Sequence, residues 1–202
     1  MLDANYPDYF TKELIAGSRV ITLSRGETLF HIGDHVTGIY YVLSGELKAV
    51  RRTPQGSEAV MMRARPGEYF AESALAIDRY VCDALCTTPA RVLFLLKRNL
   101  LQAMGQPAFA TAFALALAGN ARRQCSRYER LRLHKAKDRV LHLLICETDD
   151  SGAFHWPSSL IELAAEPGME PETLYRVLSE LESEGRLYRN RRELRLRRKV
   201  PA

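Results

Sequence analysis

The sequence predicts an α+β chain: an antiparallel β-rich first half, one long helix, and a short helix-turn-helix followed by a basic two-stranded segment. Three observations carry this. Turn signals recur every eight to twelve residues through the first hundred positions. The helical period then runs almost unbroken from Pro107 to Leu133, and the stretch Ser158–Arg176 reads helix, glycine turn, helix before a run dense in arginine.

The β half is read from its punctuation. Val20–Leu23 ends at Ser24-Arg25-Gly26-Glu27, Thr28–Phe30 at His31-Ile32-Gly33-Asp34, and Ile39–Leu43 at Ser44-Gly45-Glu46. Leu47–Arg51 ends at Thr53-Pro54-Gln55-Gly56, and Ala59–Arg63 at Arg65-Pro66-Gly67-Glu68. Two later strands are expected near Val81–Cys86 and Arg91–Leu95, and Asp3–Ala16 holds a leading helix. Short strands at this spacing form a sandwich or barrel.

A helix opens at Asn99–Met104 and restarts after Gly105-Gln106-Pro107. Within it Ala110, Ala114, Leu117, Ala121, Gln124, Tyr128 and Leu131 follow alternating steps of four and three, the spacing of a coiled-coil seam. Phe109–Ala118 is apolar nearly all round, so the helix needs cover on two sides. An intramolecular helix hairpin would also cover it, but no other helix in the chain is comparable, and a symmetric homodimer is the better account of the seam. A further helix is expected over Asp138–Cys146, then a loop at Thr148–Gly152.

In the last segment Ser159 with Glu162 makes a capping box, and Leu160, Ile161, Leu163 and Ala164 give the short helix an apolar side. Pro167-Gly168 stops it. Pro171 suits a helix start, and Leu174, Val177, Leu178 and Leu181 repeat at helical spacing as far as Gly185. Glu172, Thr173, Tyr175, Arg176 and Ser179 are left on a polar face able to enter a major groove. Beyond it Arg186, Arg189, Arg191, Arg192, Arg195, Arg197, Arg198 and Lys199 face one acid, Glu193. Leu187, Leu194 and Leu196 interleave with them, as in a wing turning at Asn190-Arg191-Arg192. Such a wing would neutralise phosphates and set position, whereas only Glu172, Tyr175 and Arg176 are placed to read bases.

Composition narrows the classes. The chain has 202 residues, 47% hydrophobic and 26% charged, with a net charge of +5, which is ordinary for a soluble globular protein. The first residues are acidic and lack the layout of a signal peptide, and Ala108–Ala118 is too short to cross a bilayer, so the cytoplasm is expected and no membrane partner. Cys82, Cys86, Cys125 and Cys146 have no metal-ligand spacing; they read as reduced thiols, and no metal site is expected. No phosphate loop, nucleophile elbow or paired-carboxylate arrangement occurs, which argues against an enzyme. The remaining alternative to a DNA reader is a ligand-binding or protein-interaction module whose helix-turn-helix touches protein.

The layout and residues resemble the Crp/Fnr superfamily of bacterial transcription regulators over nearly the whole chain. The first half matches at Gly26-Glu27-Thr28-Leu29-Phe30, Gly33-Asp34, Ile39–Gly45, Gly56 and Arg65-Pro66-Gly67-Glu68-Tyr69-Phe70. The last part matches at Leu163-Ala164, Gly168-Met169, Pro171–Leu178 and Leu181–Gly185. The resemblance implies an N-terminal antiparallel β-roll (jelly roll, or double-stranded β-helix) sensor over 1–104, a dimerisation helix over 105–134 and a winged helix-turn-helix over 135–202. It implies a homodimer on double-stranded DNA, on a pseudo-palindrome with half-sites about 34 Å apart. Glu172 would accept from a cytosine amine and Arg176 would pair with a guanine. Such regulators activate through RNA polymerase or repress by occlusion.

The chain departs from the family in places. Tyr175 stands where many relatives carry a small residue, Glu170 where Thr or Ser caps the helix, and Pro167 where an apolar residue precedes the turn glycine. The family's nucleotide cassette is a Gly-Glu for the ribose, then an Arg followed by a hydroxyl and a small residue for the cyclic phosphate. Here it reads Ala71-Glu72-Ser73, with Asp78-Arg79-Tyr80-Val81 in place of the second part. The effector-pocket candidates are therefore Glu72, Ser73, Arg79 and Tyr80, with Gln124 and Cys125 on the long helix. An effector other than cyclic AMP is expected. Heme stays open but unsupported: none of His31, His35, His134, His142, His155, the cysteines or the methionines has a diagnostic ligand setting. Cys125 on the seam is a candidate redox thiol.

Overall fold

The computed structural model describes residues 6–52, 58–149, 151–155, 159–190 and 193–197. Internal packing divides the chain into two units, Met1–Asn120 and Ala121–Ala202.

The first unit opens with α1 (Lys12–Ala16), capped by Thr11, whose hydroxyl accepts from Leu14 N. The leading helix expected over Asp3–Ala16 is thus confined to its last turn and a half among the described residues. Eight strands follow: β1 (Arg19–Leu23), β2 (Thr28–Phe30), β3 (Gly38–Ser44), β4 (Leu47–Arg52), β5 (Glu58–Ala64), β6 (Tyr69–Phe70), β7 (Asp83–Cys86) and β8 (Ala90–Leu96). A 3₁₀ turn over Glu72–Ala76 precedes β7. The strands form two antiparallel sheets, ordered β1-β8-β3-β6 and β2-β7-β4-β5.

Strands β3 and β8 are buried on both faces, and the period of two shows why. Tyr40 and Val42, with Val92 and Phe94, face the interior cluster, while Ile39 and Tyr41, with Leu93 and Leu95, face a second cluster. That second cluster is closed by Phe10 and Leu14 of the N-terminal segment, by Leu100 of α2 (Lys97–Ala103), and by Phe109 and Phe113 of α3 (Pro107–Arg132). Phe109 and Phe113 lie one turn apart and stack at 5.8 Å, so the apolar run of α3 has one flank committed to the first unit.

α3 runs unbroken through Gly119, and the division between the units falls inside it. In the second unit α4 (Ala136–Glu147) precedes β9 (Ala153–His155), then come α5 (Leu160–Ala165), α6 (Pro171–Ser183), β10 (Leu187–Asn190) and β11 (Glu193–Leu196). The three strands make one antiparallel sheet, β10-β11-β9. Its core joins Val140, Leu143 and Leu144 of α4 to Leu163, to Leu174, Val177, Leu178 and Leu181 of α6, and to Leu187 and Leu194 of the sheet. Ile161, expected on the buried side of α5, is instead 71% exposed; the burial falls to Leu163 and Ala164. Among the described residues no single helix is long and apolar enough to cross a membrane.

Candidate nucleic-acid interface and sensor pocket

The helix-turn-helix is set by its turn. Gly168 has φ +62°, and a Cβ there would come within 2.7 Å of Leu131 Cδ2, so both conformation and space call for glycine. Arg139 of α4 donates from Nη1 to the carbonyls of Pro167 (3.1 Å) and Gly168 (2.8 Å), which pins the turn, while Met169 N and Gly168 N cap α5 by donating to the Ala164 and Ala165 carbonyls. Arg130 of α3, fully buried, pairs with Glu147 and lies 3.5 Å from the Glu166 carbonyl. Lys137 reaches Glu180 at 2.7 Å and Glu184 at 2.5 Å, tying α4 to α6; these two hydrogen bonds raise its pKa.

On α6 the leucine and valine stripe is buried, and the opposite face carries exposed Glu172, Tyr175 and Arg176 with half-buried Thr173 and Ser179. Glu170 at the N-cap makes no side-chain cap bond, and Pro171 opens the helix. In the adjoining strand β10, half-buried Arg189 lies 5.3 Å over the Tyr175 ring and 3.0 Å from Glu182. Sequence reasoning had no signal for this triad, because α6 and β10 meet only through the fold. Arg191 and Arg192, the other expected wing contacts, lie outside the described residues.

Along α3, Leu117 packs on the first unit and Ala110 is half-buried, whereas Ala114, Ala121, Gln124, Tyr128 and Leu131 are exposed. Leu115, off the seam, is the most exposed large apolar side chain of that helix at 69%. Gln124 and Cys125 are exposed and belong to the second unit, while Glu72, Ser73, Arg79 and Tyr80 belong to the first.

Ala71 takes the left-handed conformation, φ 64°, at the start of the 3₁₀ turn, the only non-glycine residue with positive φ among those described. Glu72 Oε1 accepts from Asn120 Nδ2 on α3 at 2.6 Å. Arg79 is exposed and donates from Nη1 to the Gly33 carbonyl at 2.7 Å. Tyr80 is buried; its ring stacks on Phe30 with centroids 3.7 Å apart, and its hydroxyl donates to the Gly38 carbonyl at 2.8 Å. Burial pushes its phenol well above the usual range. Beside it a cleft of about 30 Å³ is lined by Ala49, Met62, Phe70, Ala71, Ser73 and Cys82. The other histidines of interest are spoken for at the surface: His31 lies 3.5 Å from Asp83, His142 3.5 Å from Glu129, and His155 3.3 Å from Asp149.

Along the chain come a roll of two antiparallel sheets, one long helix and a helix-turn-helix flanked by a small antiparallel sheet. Residues 20–107 match the cyclic nucleotide-binding domain family. Over 90% of this chain and 93% of that one, the structure is similar to FixK2 from Bradyrhizobium japonicum, at 21% identity and a TM-score of 0.74. It is similar to TTHB099, a transcriptional regulator of the CRP family from Thermus thermophilus, at 25% identity and a TM-score of 0.65, covering 87% and 91% of the two chains. The c-di-GMP responsive global regulator CLP of Xanthomonas campestris aligns over 93% of this chain and 97% of its own, with 22% identity and a TM-score of 0.68. No curated protein matches. The chain thus has the Crp/Fnr architecture, with a cyclic nucleotide-binding-type domain at its front.

Proposed function

We propose that the chain is a sequence-specific, DNA-binding transcription regulator that acts as a homodimer on a pseudo-palindromic site. The observation that carries this is the division of α6: Leu174, Val177, Leu178 and Leu181 are buried while Glu172, Tyr175 and Arg176 stand outward beside an arginine-bearing wing. That arrangement presents a carboxylate and a guanidinium at the spacing a major groove can accept, with phosphate-neutralising charge next to it. Similarity to regulators of known architecture points the same way.

The exposed part of the α3 seam, Ala114, Ala121, Gln124, Tyr128 and Leu131, supports the dimer, since a stripe that is apolar but for Gln124 is stable when a second copy covers it. Two such copies would set two α6 helices for successive grooves about 34 Å apart. The effector is something other than cyclic AMP, because the one arginine of the cassette is turned to Gly33. Binding to random and selected duplexes at two salt concentrations tests the reading. Specific binding should exceed random binding by at least about 10³-fold at physiological salt. Equal affinity for both would leave only a charged surface.

A further inference from the structure

Three features of the first unit combine. A cyclic nucleotide needs a cation for its phosphate, an acceptor for its ribose and room for its base. The Arg79 guanidinium is hydrogen-bonded to the Gly33 carbonyl, and its segment is held there by Gly33 N to the Tyr80 carbonyl (2.8 Å) and Tyr80 N to the Asp34 carbonyl (2.9 Å). The Glu72 carboxylate is engaged by Asn120 of α3. The open space beside Tyr80, where Ala71, Ser73 and Cys82 line the cleft, is about 30 Å³, a tenth of the roughly 300 Å³ at which small-molecule pockets begin, and enough for a water. The residues do not fit a cyclic nucleotide.

What fills the interior is the chain's own Tyr80. Its ring lies flat on Phe30, its hydroxyl is satisfied by Gly38, and it is 5% exposed. We propose that Tyr80 is a built-in occupant of the sensor pocket and that the Glu72–Asn120 hydrogen bond links roll to α3 directly, so that DNA binding needs no cyclic nucleotide. Only its last clause rests on the DNA-binding reading; the occupancy of the pocket stands apart from it.

The test uses the full chain and four proteins: wild type, Tyr80→Phe, Tyr80→Ala and Asn120→Ala. Thermal melts are run with cyclic AMP, cyclic GMP or p-cresol, the free form of the tyrosine side chain. A ligand at about a hundredfold its Kd raises a melting temperature by several degrees. The wild type and Tyr80→Phe should not shift with any of the three, and Tyr80→Ala should be raised several degrees by p-cresol alone. A rise of wild-type melting temperature with either nucleotide overturns the proposal, and it does so even where Tyr80→Ala fails to fold. On selected duplex, wild type should bind without additive, with affinity changed less than about twofold by either nucleotide. Asn120→Ala should lose several-fold in DNA affinity while melting within about 2 °C of wild type; unchanged affinity refutes the direct link. Absence of DNA binding by any of the proteins would defeat the regulator reading and leave the melts to decide the pocket.

Discussion

The guanidinium of Arg189 lies 5.3 Å over the ring of Tyr175, joining β10 to α6, and its Nη2 lies 3.0 Å from Glu182 of the same helix. On the DNA-binding reading proposed above, Tyr175 is a platform that orients a wing arginine before nucleic acid arrives. Tyr175→Ala should weaken binding to all duplexes alike, by about 0.5–1 kcal/mol, while Tyr175→Phe should change little. A base-by-base affinity matrix for the two variants checks this; a changed preference at one base pair in Tyr175→Ala would make the phenol a reader.

Arg176 and Arg189 should separate cleanly. Arg176→Ala should cost about 1–3 kcal/mol and relax one base preference, whereas Arg189→Ala should lower affinity across sequences and reduce the salt slope by about 1. Titrations at several salt concentrations on specific and random duplex distinguish the two. Equal losses on both duplexes for Arg176→Ala would contradict its base-reading role.

The buried Arg130 with Glu147 is the costly feature of the second unit. Arg130→Ala strands a carboxylate and should destabilise that unit by about 3–5 kcal/mol, while Arg130→Met, which fills the space without charge, should cost far less. Denaturant unfolding followed in the helix-turn-helix measures it.

Two local backbone features should be correctable. Glu170→Ser supplies the missing cap at the start of α6 and should add about 0.5–1 kcal/mol. Ala71→Gly relieves the φ of 64° at the price of a buried methyl, for a net gain of about 0.5 kcal/mol. Shifts in the unfolding midpoint report both, and a loss of stability in Ala71→Gly would show that the methyl dominates.

Much of this molecule was legible because its punctuation is strong. Pro171 and the leucine period define α6, and Gly26, Gly33, Gly45 and Gly67 all take the positive φ their turns require. β6, of two residues, and β9, of three, were not legible, being too short for any period to show; β2 is as short as β9 and was legible only because the turns at Gly26 and Gly33 bracket it. Side chains whose partners are distant in sequence were equally hidden. Tyr80 meets Phe30 and Gly38 across some forty to fifty positions, and Arg130, which reads as a solvated charge on the long helix, is buried only because Glu147 and the end of α5 converge on it. Arg189 belongs with them, since nothing local announces a stack on Tyr175.

The most direct measurement is selection of the full-length protein on random duplexes, followed by native mass spectrometry of the recovered complex. The account predicts an inverted repeat with half-site centres about one helical turn apart, carrying two chains per duplex. Enrichment of a single unrepeated half-site bound by one chain, or no enrichment at all, would contradict it.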